Sequence, residues 1–302
     1  MKLEGIAAFT AIVEAGSVSG AARALNLPKS VVSERLKELE RSLGAQLIHR
    51  TTRTLAVTAE GNAFFERAGR ILRETDEARA EIVENRGLLA GPLRVSAPVS
   101  FGTLHLGRAL YPFLRANPGI QLSLDLDDRF VDVAAGGYDA VIRHGAVADA
   151  RVIVKRLAAS KRYLVASPAY LKKHGAPGRL AELERHMAIL YANRQSDWRF
   201  KVAGKGFVVV RPARHLRVNN GLIQRDAALA GLGITLLPAF IVGSEVARGT
   251  LKVLDVGAAT ESADIFVAYP AGRRSSAKVR ALVAALKASI DTLPWPRARD
   301  CR

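Results

Sequence analysis

The sequence predicts a small all-α domain with a winged helix-turn-helix at the N-terminus, followed by a larger α/β domain. The first sixty residues contain three short amphipathic helical patterns and then two short runs of alternating apolar and polar residues. A long helical pattern follows, and beyond residue 91 short apolar strand patterns alternate with helices. This alternation is typical of a mostly parallel sheet covered by helices on both faces. We expect domains at 1–58 and 91–293, a connecting helix over 59–90 and a flexible tail over 294–302.

Composition argues against several classes of protein. The 302 residues suffice for two or three hydrophobic cores, and the 49% apolar and 24% charged fractions are those of a folded protein. The single cysteine, Cys301, can form neither an internal disulfide nor a thiolate zinc site, which fits a reducing compartment. A signal-peptide pattern is missing and no run of eighteen apolar residues occurs. We therefore expect a cytoplasmic protein without a membrane partner.

The positive charge is concentrated in the second domain. Residues 1–60 carry eight basic and six acidic side chains, whereas residues 92–302 carry thirty-two and sixteen, most of the total net charge of +17. Net charge favours attraction to polyanions in general. It does not locate a nucleic-acid site, so that site has to be inferred from the residue pattern.

The first three helical patterns predict a helix-turn-helix. They cover residues 3–14, 18–25 and 28–43, with a cap at Ser17 or Ser19 and Pro28 as the first residue of the third helix. One face of the third helix is apolar and the other is rich in hydrogen-bond donors, as insertion into a DNA major groove requires. The alternative is a helical packing module whose polar face is merely solvated. The apolar face holds Val32, Leu36, Leu39 and Leu43, and the DNA-binding candidates are Lys29, Ser30, Ser33, Arg35 and Lys37.

A hairpin with a polar tip follows. Residues 46–48 and 55–57 alternate in the manner of paired strands, and residues 49–54 between them hold two arginines and three threonines. Such a loop can reach phosphates or a minor groove, because its side chains are donors of the right kind. Arg50, Thr51 and Arg53 are therefore DNA-binding candidates in a predicted wing.

These residues resemble the LysR-type transcriptional regulators. The matching stretches are 16–25 (GSVSGAARAL), 27–33 (LPKSVVS), 39–40, 43–44, 50–53 (RTTR) and 58–61 (TAEG) in the first part, and 137–145 (GYDAVIRHG), 167–171 (SPAYL), 219–220 and 231–238 (GLGITLLP) in the second. The resemblance implies a regulator that binds double-stranded promoter or operator DNA. It also implies an effector domain of two α/β lobes with the type 2 periplasmic-binding-protein fold and a ligand cleft between them. Lobe I would be 91–160 and 263–293, and lobe II would be 161–262, with crossings near 159–160 and 262–263. Glu34 departs from the family, many of whose members carry a DNA-contacting arginine there.

The connecting helix carries the pattern of a coiled coil. Thr58 is placed to cap it, and apolar or small residues recur at alternating spacings of four and three. The alternative is a single helix packed on its own domain. The resemblance favours a dimer through this helix, and a homodimer or a homotetramer overall. The seam positions are Phe64, Ala68, Ile71, Thr75, Ala78, Ile82, Asn85 and Leu89.

The second domain reads as alternating strands and helices. Predicted strands are 93–97, 120–126, 140–142, 163–166, 188–191, 206–210, 234–237 and 264–269, and predicted helices are 100–115, 130–135, 168–174, 222–230 and 277–293.

The resemblance implies effector-binding residues at strand ends, as is usual in open α/β sheets. Ser100 and Phe101 open a helix whose N-terminus favours an anion. Arg143 and His144 follow a strand, and a carboxylate effector suits Arg143. Asn219 lies on the other lobe. Structural roles stay open for four of them: Ser100 as a helix cap, Phe101 as core, Arg143 paired with Asp139 or an acid on the facing lobe, and Asn219 at the hinge. At the position of His144 a small or variable residue is common in the family.

The sequence lacks enzyme signatures. Gly231 and Gly233 precede a strand instead of following one, so they are no dinucleotide motif, and the histidines lack metal-site spacing. We expect no enzyme, no cofactor and no metal. The alternatives are a two-lobed binding protein or an enzyme with no DNA role. In the expected mechanism, the effector shifts the population of lobe arrangements and thereby the spacing or bend of bound DNA.

Overall fold

The computed structural model describes residues 1–50, 55–84, 88–129, 137–145, 151–192, 198–204, 206–262, 264–271 and 276–291. They form two compact units, Met1–Gly91 and Pro92–Arg302. Within these ranges no single helix has both the length and the apolar content to cross a membrane. The bent pair of the first two helices meets those criteria only in combination, and both helices contribute to the core of the first unit. The predicted helix at 130–135 and the predicted tail lie outside the described residues.

Three helices form the core of the first unit: α1 (Leu3–Ala15), α2 (Val18–Ala24) and α3 (Lys29–Leu43). Their apolar sides bury one cluster, which includes Ile6, Phe9, Ile12, Val32, Leu36 and Leu39. The Ser17 hydroxyl caps α2 by accepting from the amide of Gly20 at 3.0 Å. Gly44 ends α3 with a φ of 67°, a left-handed conformation that glycine adopts without strain.

Two details of α3 differ from the prediction. Pro28 is the N-cap and not the first helical residue, since its ψ of 144° is extended. Leu43, expected on the buried face, is 37% exposed because it lies in the last turn, beyond the reach of the core. Both differences concern the ends of the helix, where sequence patterns are least exact.

The hairpin consists of β1 (Ile48–Arg50) and β2 (Leu55–Val57), which pair antiparallel with Ile48 opposite Val57. The first strand therefore begins two residues later than predicted, and Arg50 ends a strand instead of entering the loop. Thr51 and Arg53 lie outside the described residues.

Helix α4 (Ala59–Glu84) follows directly. The Thr58 hydroxyl caps it by accepting from the Gly61 amide at 2.8 Å. A Cβ at Gly61 would overlap the carbonyl oxygen of Leu47, so only glycine lets α4 approach the hairpin this closely. The seam is shorter than predicted at its last position, because Leu89 is not helical. Asn85 lies outside the described residues.

The second unit contains a five-stranded sheet in lobe I. Its strands are β3 (Ala90–Ala97), β4 (Gly119–Leu126), β5 (Ala140–His144), β6 (Val152–Ala158) and β15 (Ile265–Pro270), in the order β4-β3-β5-β15-β6. A helix runs from α5 (Val99–Phe101) through a π-helical turn (Gly102–Leu106) into α6 (Gly107–Ala116), and α10 (Ala277–Asp291) packs against α6.

Lobe II holds the elements from residue 162 to residue 260. They are β7 (Arg162–Ala166), α7 (Pro168–His174), a 3-10 helix (Leu180–Arg185), β8 (Met187–Tyr191), β9 (Trp198–Val202), β10 (Gly206–Val210), β11 (Ala213–Val218), α8 (Gly221–Leu229), β12 (Ile234–Pro238), α9 (Ala239–Ala247), β13 (Lys252–Val253) and β14 (Ala259–Thr260). The strands form a five-stranded sheet in the order β11-β8-β12-β7-β13 and a three-stranded sheet in the order β10-β9-β14.

Both large sheets are mixed, whereas mostly parallel sheets were expected. The antiparallel partners arise where the chain changes lobe: β7 enters lobe II and pairs antiparallel with β12, and β15 returns to lobe I and pairs antiparallel with β5 and β6. The two crossing segments meet each other through a bridge between Lys161 and Ser262. The Asp264 carboxylate fixes this crossing by accepting from the amide of Ser160 at 3.0 Å.

Candidate functional sites

The solvent face of α3 presents most of the predicted DNA-binding donors. Lys29, Ser30 and Lys37 are exposed and Ser33 is half-buried. At 100° per residue, Ser30 and Lys37 lie on the side away from the buried Val32, Leu36 and Leu39. Ser33 lies at the edge of that side, and Lys29, in the first turn, lies above Leu36. The structure therefore presents Ser30 and Lys37 on one accessible surface, with Ser33 at its edge and Lys29 exposed at the start of the helix.

Arg35 is separate from that surface. It is half-buried and lies about 160° around the helix axis from Ser33. Its backbone faces α1 at Gly5, where a Cβ would come within 3.2 Å of the Arg35 carbonyl oxygen. Arg41 is also exposed and lies one turn beyond Lys37 on the same side of α3. It was not among the predicted residues, although its spacing of four from Lys37 indicates this position.

Glu40 connects α3 to the hairpin. One carboxylate oxygen, Oε1, accepts from the amides of Leu47 at 2.9 Å and Ile48 at 3.2 Å. These amides precede and begin β1, so the side chain fixes the strand relative to the helix. This positioning role was not predicted from the sequence, because no local period of residues indicates it.

The second unit contains a cavity of about 200 Å³ whose walls come from both lobes. Arg162 and the neighbouring β12 and α9 lie on the lobe II side, and Arg143 at the end of β5 lies on the lobe I side. The lining residues are Pro98, Ser100, Asp128, Arg143, His144, Arg162, Tyr191, Trp198, Gly221, Gln224, Leu236, Leu237, Pro238, Phe240 and Ile241.

Arg143 is the half-buried cation of lobe I in this lining. Its Nη1 donates to the carbonyl of Ile142 at 2.7 Å and its Nη2 to the hydroxyl of Ser96 at 2.9 Å. Its Nε is buried and has no hydrogen-bond partner among the described residues. Burial lowers the pKa of Arg143, while the nearby Asp127 and Asp128 oppose that shift. The guanidinium thus keeps a free donor while its other groups are held in place.

Asp128 occupies the place where the sequence predicted an anionic ligand. Its Oδ1 accepts from the Val99 amide at 3.0 Å, so the protein's own carboxylate satisfies the N-terminus of α5. Burial raises the pKa of Asp128, and its hydrogen bond with Tyr191 works against that rise. Because Tyr191 ends β8 in lobe II, this bond joins the two lobes across the cavity.

Ser100 and His144 line the cavity as well, but Phe101 and Asn219 do not. Phe101 is fully buried, and its ring packs 6.3 Å from that of His144. Asn219 is exposed, and the next residue, Asn220, caps α8 by accepting from the Leu222 amide at 2.9 Å. Lobe II residues reach the cavity instead from the strand ends and from α8, and none of these was predicted from the sequence: Arg162, Tyr191, Trp198, Gly221 and Gln224.

No group of three or more His, Cys, Asp or Glu side chains suited to a metal ion occurs in the described parts of the chain.

Comparisons with known proteins give family matches for both units. Residues 3–62 match the family model of the bacterial regulatory helix-turn-helix protein, lysR family, and residues 86–291 match the LysR substrate binding domain. The HTH-type transcriptional regulator PtxR of Pseudomonas aeruginosa is 32% identical over 303 residues, which cover 99% of this chain and 96% of PtxR. The HTH-type transcriptional regulator CrgA of Neisseria meningitidis is 34% identical over 82% of this chain and 83% of CrgA.

Solved structures show the same architecture. CrgA, described as a LysR-type transcriptional regulator, superposes with a TM-score of 0.60 at 30% identity, over 95% of this chain and 99% of that one. Full-length AphB, a virulence activator of Vibrio cholerae, gives 0.62 at 25% identity, over 95% and 98%. The chain therefore belongs to the LysR family, and it is a DNA-binding transcriptional regulator with a small-molecule-binding domain.

Proposed function

We propose that this regulator reads DNA with the exposed face of α3 and the hairpin wing, and that a small anionic compound in the cavity controls this activity. The protein acts by binding and not by catalysis, in the cytoplasm, where it meets its DNA. The observation that carries the effector proposal is that Arg143, whose Nε has no hydrogen-bond partner among the described residues, lines the cavity.

The DNA contacts divide by chemistry. Ser30, Ser33 and Lys37 are placed on α3 to meet base edges and nearby phosphates, with Lys29 at the N-terminal end of the helix. Arg50, Thr51 and Arg53 supply phosphate or minor-groove contacts from the wing. Arg35, on the flank of α3, is assigned to a phosphate and not to a base.

The chemistry of the cavity favours a small carboxylate with an apolar body. Two guanidinium groups and one carboxylate line it, within a unit of high positive charge. Arg143 suits a carboxylate oxygen, because a guanidinium donates in a fixed plane. Trp198 and Phe240 supply flat apolar walls. The volume is below the usual range of about 300–1,000 Å³ for drug-sized ligands, so the compound is small.

The connecting helix supports a dimer, and its seam divides into two parts. Phe64 and Ala68 pack against the core of the first unit, which we call the head; this was the alternative interpretation of the pattern. Ile71, at 37% exposure, and Ala78 face solvent, so this half of the seam is open to a second copy. The proposal also includes a tetramer, formed when two such dimers associate.

A gel-shift with the intergenic DNA upstream of the chain's own gene tests the DNA assignment. We expect Lys37→Ala to weaken binding and, if Lys37 meets a phosphate, to reduce the slope of log affinity against log salt by about 1. Lys172→Ala, an exposed lysine in the other unit, is the matched control. Equal binding by both variants and the unaltered protein would remove α3 from the DNA site.

A thermal-shift comparison tests the effector assignment, with benzoate, malonate and 2-oxoglutarate as probes and benzamide as the neutral counterpart. A carboxylate at a hundred times its Kd stabilises by about 2.7 kcal/mol. We expect Arg143→Ala to abolish the shift and Arg179→Ala, whose side chain is 84% exposed, to preserve it. A shift of equal size with benzamide, or one that persists in Arg143→Ala, would contradict an anionic effector.

A further inference from the structure

The two lobes meet around one aromatic side chain. Phe240, at the start of α9 in lobe II, is 4% exposed and is surrounded by three rings from lobe I. The ring of His144 stacks on it at 4.9 Å with an interplanar angle of 20°. The rings of Phe101 at 5.5 Å and His105 at 5.9 Å meet it nearly at right angles. We call these four residues the aromatic latch.

A hydrogen bond strengthens the latch. The Nε2 of His105 lies 2.8 Å from the backbone carbonyl oxygen of Phe240. A carbonyl can only accept, so Nε2 carries a hydrogen and donates it. His105 belongs to the π-helical turn, and such turns are frequent at functional sites. Both the ring and the backbone of Phe240 are therefore held by lobe I.

The latch is also a wall of the ligand cavity, since Phe240 and His144 both line it. A compound held by Arg143, the residue immediately before His144, lies next to this ring stack. A flat effector in the cavity would therefore contact rings that hold the lobes together.

We propose that Phe240 is the positioning residue that converts occupancy of the cavity into movement of the lobes. Without effector, the latch holds the lobes in the arrangement described here. An effector in the cavity competes with His144 for the face of the Phe240 ring and loosens the latch, so the lobes change their angle. This inference rests on the proposed function, because it takes the cavity to be the effector site.

Distance measurement by electron spin resonance tests the latch in the full-length chain. Cys301 is the sole cysteine, so Cys301→Ser gives a background for labels at Lys287→Cys in lobe I and Lys252→Cys in lobe II, both exposed. Labelled chains are diluted with unlabelled ones, so that each distance is measured within one chain. We expect one narrow distance without ligand, and a broadened or second distance in Phe240→Ala.

Phe113→Ala is the matched control, because it removes a ring of similar burial, at 6% exposure, from the core of lobe I. It should lower the thermal stability but keep the narrow distance. A Phe240→Ala distribution that superposes on that of the unaltered protein would overturn the latch, and so would equal broadening in Phe113→Ala.

The coupling has its own readout. In the gel-shift with upstream DNA and no added compound, we expect Phe240→Ala to change the apparent affinity by about fivefold or more, the lower end of ordinary allosteric coupling, while Phe113→Ala does not. A changed distance with unchanged DNA affinity would overturn the coupling role. If the unaltered protein fails to retard the DNA, the proposed function fails instead, and the distance measurement still decides whether the latch exists.

Discussion

Removal of the Glu40 carboxylate should release the wing from α3. Glu40 is half-buried, and its Oε1 accepts from two amides whose residues, Leu47 and Ile48, are 1% and 3% exposed. In Glu40→Ala both amides lose their acceptor on α3. Because the buried side chains around them restrict access for water, the amides regain only part of their hydrogen bonding when the strand stays in place.

The expected cost follows from the two bonds. A hydrogen bond to a charged group contributes about 1.5–3 kcal/mol when it is sheltered, and less where water replaces it. For two bonds from a half-buried carboxylate, about 2 kcal/mol is a conservative sum. It corresponds to about a 30-fold increase in the population in which the first wing strand is open.

Hydrogen exchange of the amides at Leu47 and Ile48 measures that population. Glu40→Gln keeps the acceptor oxygen and should recover most of the protection. Glu38→Ala is the control on the same helix, since its partner is the exposed Lys2 at 3.4 Å and surface pairs contribute little. Exchange in Glu40→Ala that equals exchange in Glu38→Ala would refute the reasoning.

Three further perturbations probe other parts of the chain. Gly61→Ala should lower the melting temperature of the first unit, because the added methyl group would overlap the Leu47 carbonyl and such overpacking costs about 1–3 kcal/mol. Gly69→Ala is the control: its methyl group meets only a flexible arginine side chain, so the loss of a helical glycine should raise the melting temperature. Burial lowers the pKa of His105 below 6.5, so its contribution to the free energy of unfolding falls as the pH decreases through that value. The difference in free energy of unfolding between the unaltered protein and His105→Gln should therefore shrink between about pH 7.5 and 5.5. Ile71→Asp should dissociate the proposed dimer without unfolding the head, as measured by sedimentation.

Each of these has an outcome that contradicts it. A stabilised Gly61→Ala would mean that the hairpin can move away from α4. A difference that stays constant with pH would mean that folding does not lower the pKa of His105. An intact dimer in Ile71→Asp would exclude the exposed half of the seam as the contact between copies.

The head was predictable because its signals are local. The helical periods, the Ser17 and Thr58 caps and the left-handed Gly44 are all read within one turn of the chain. The wing shifted by two residues because its start is set by Glu40, seven residues earlier in sequence and on another element.

The second unit was less predictable because its strands and its cavity depend on distant partners. Strand β6 has Lys155 and Arg156 in its interior, and its place at a sheet edge is decided by β15, more than a hundred residues away. Ser100 and Arg143 could be chosen as candidates, since they lie at the ends of lobe I strands. Their counterparts Tyr191 and Trp198 could not, because the crossing of the chain between lobes decides which strand ends face one another.

The packing of Phe9 against Phe64 and Phe65, with ring centroids 5.7 and 6.3 Å apart, has a mechanical consequence. The first turns of α4 are packed firmly against the three-helix core, so α3 and α4 move together as one rigid body. In a dimer joined along α4, the two copies of α3 would therefore be held at a fixed separation. Such a dimer would not bind an operator whose half-sites are separated by an additional half-turn of the double helix, because the protein could not bend to reach both.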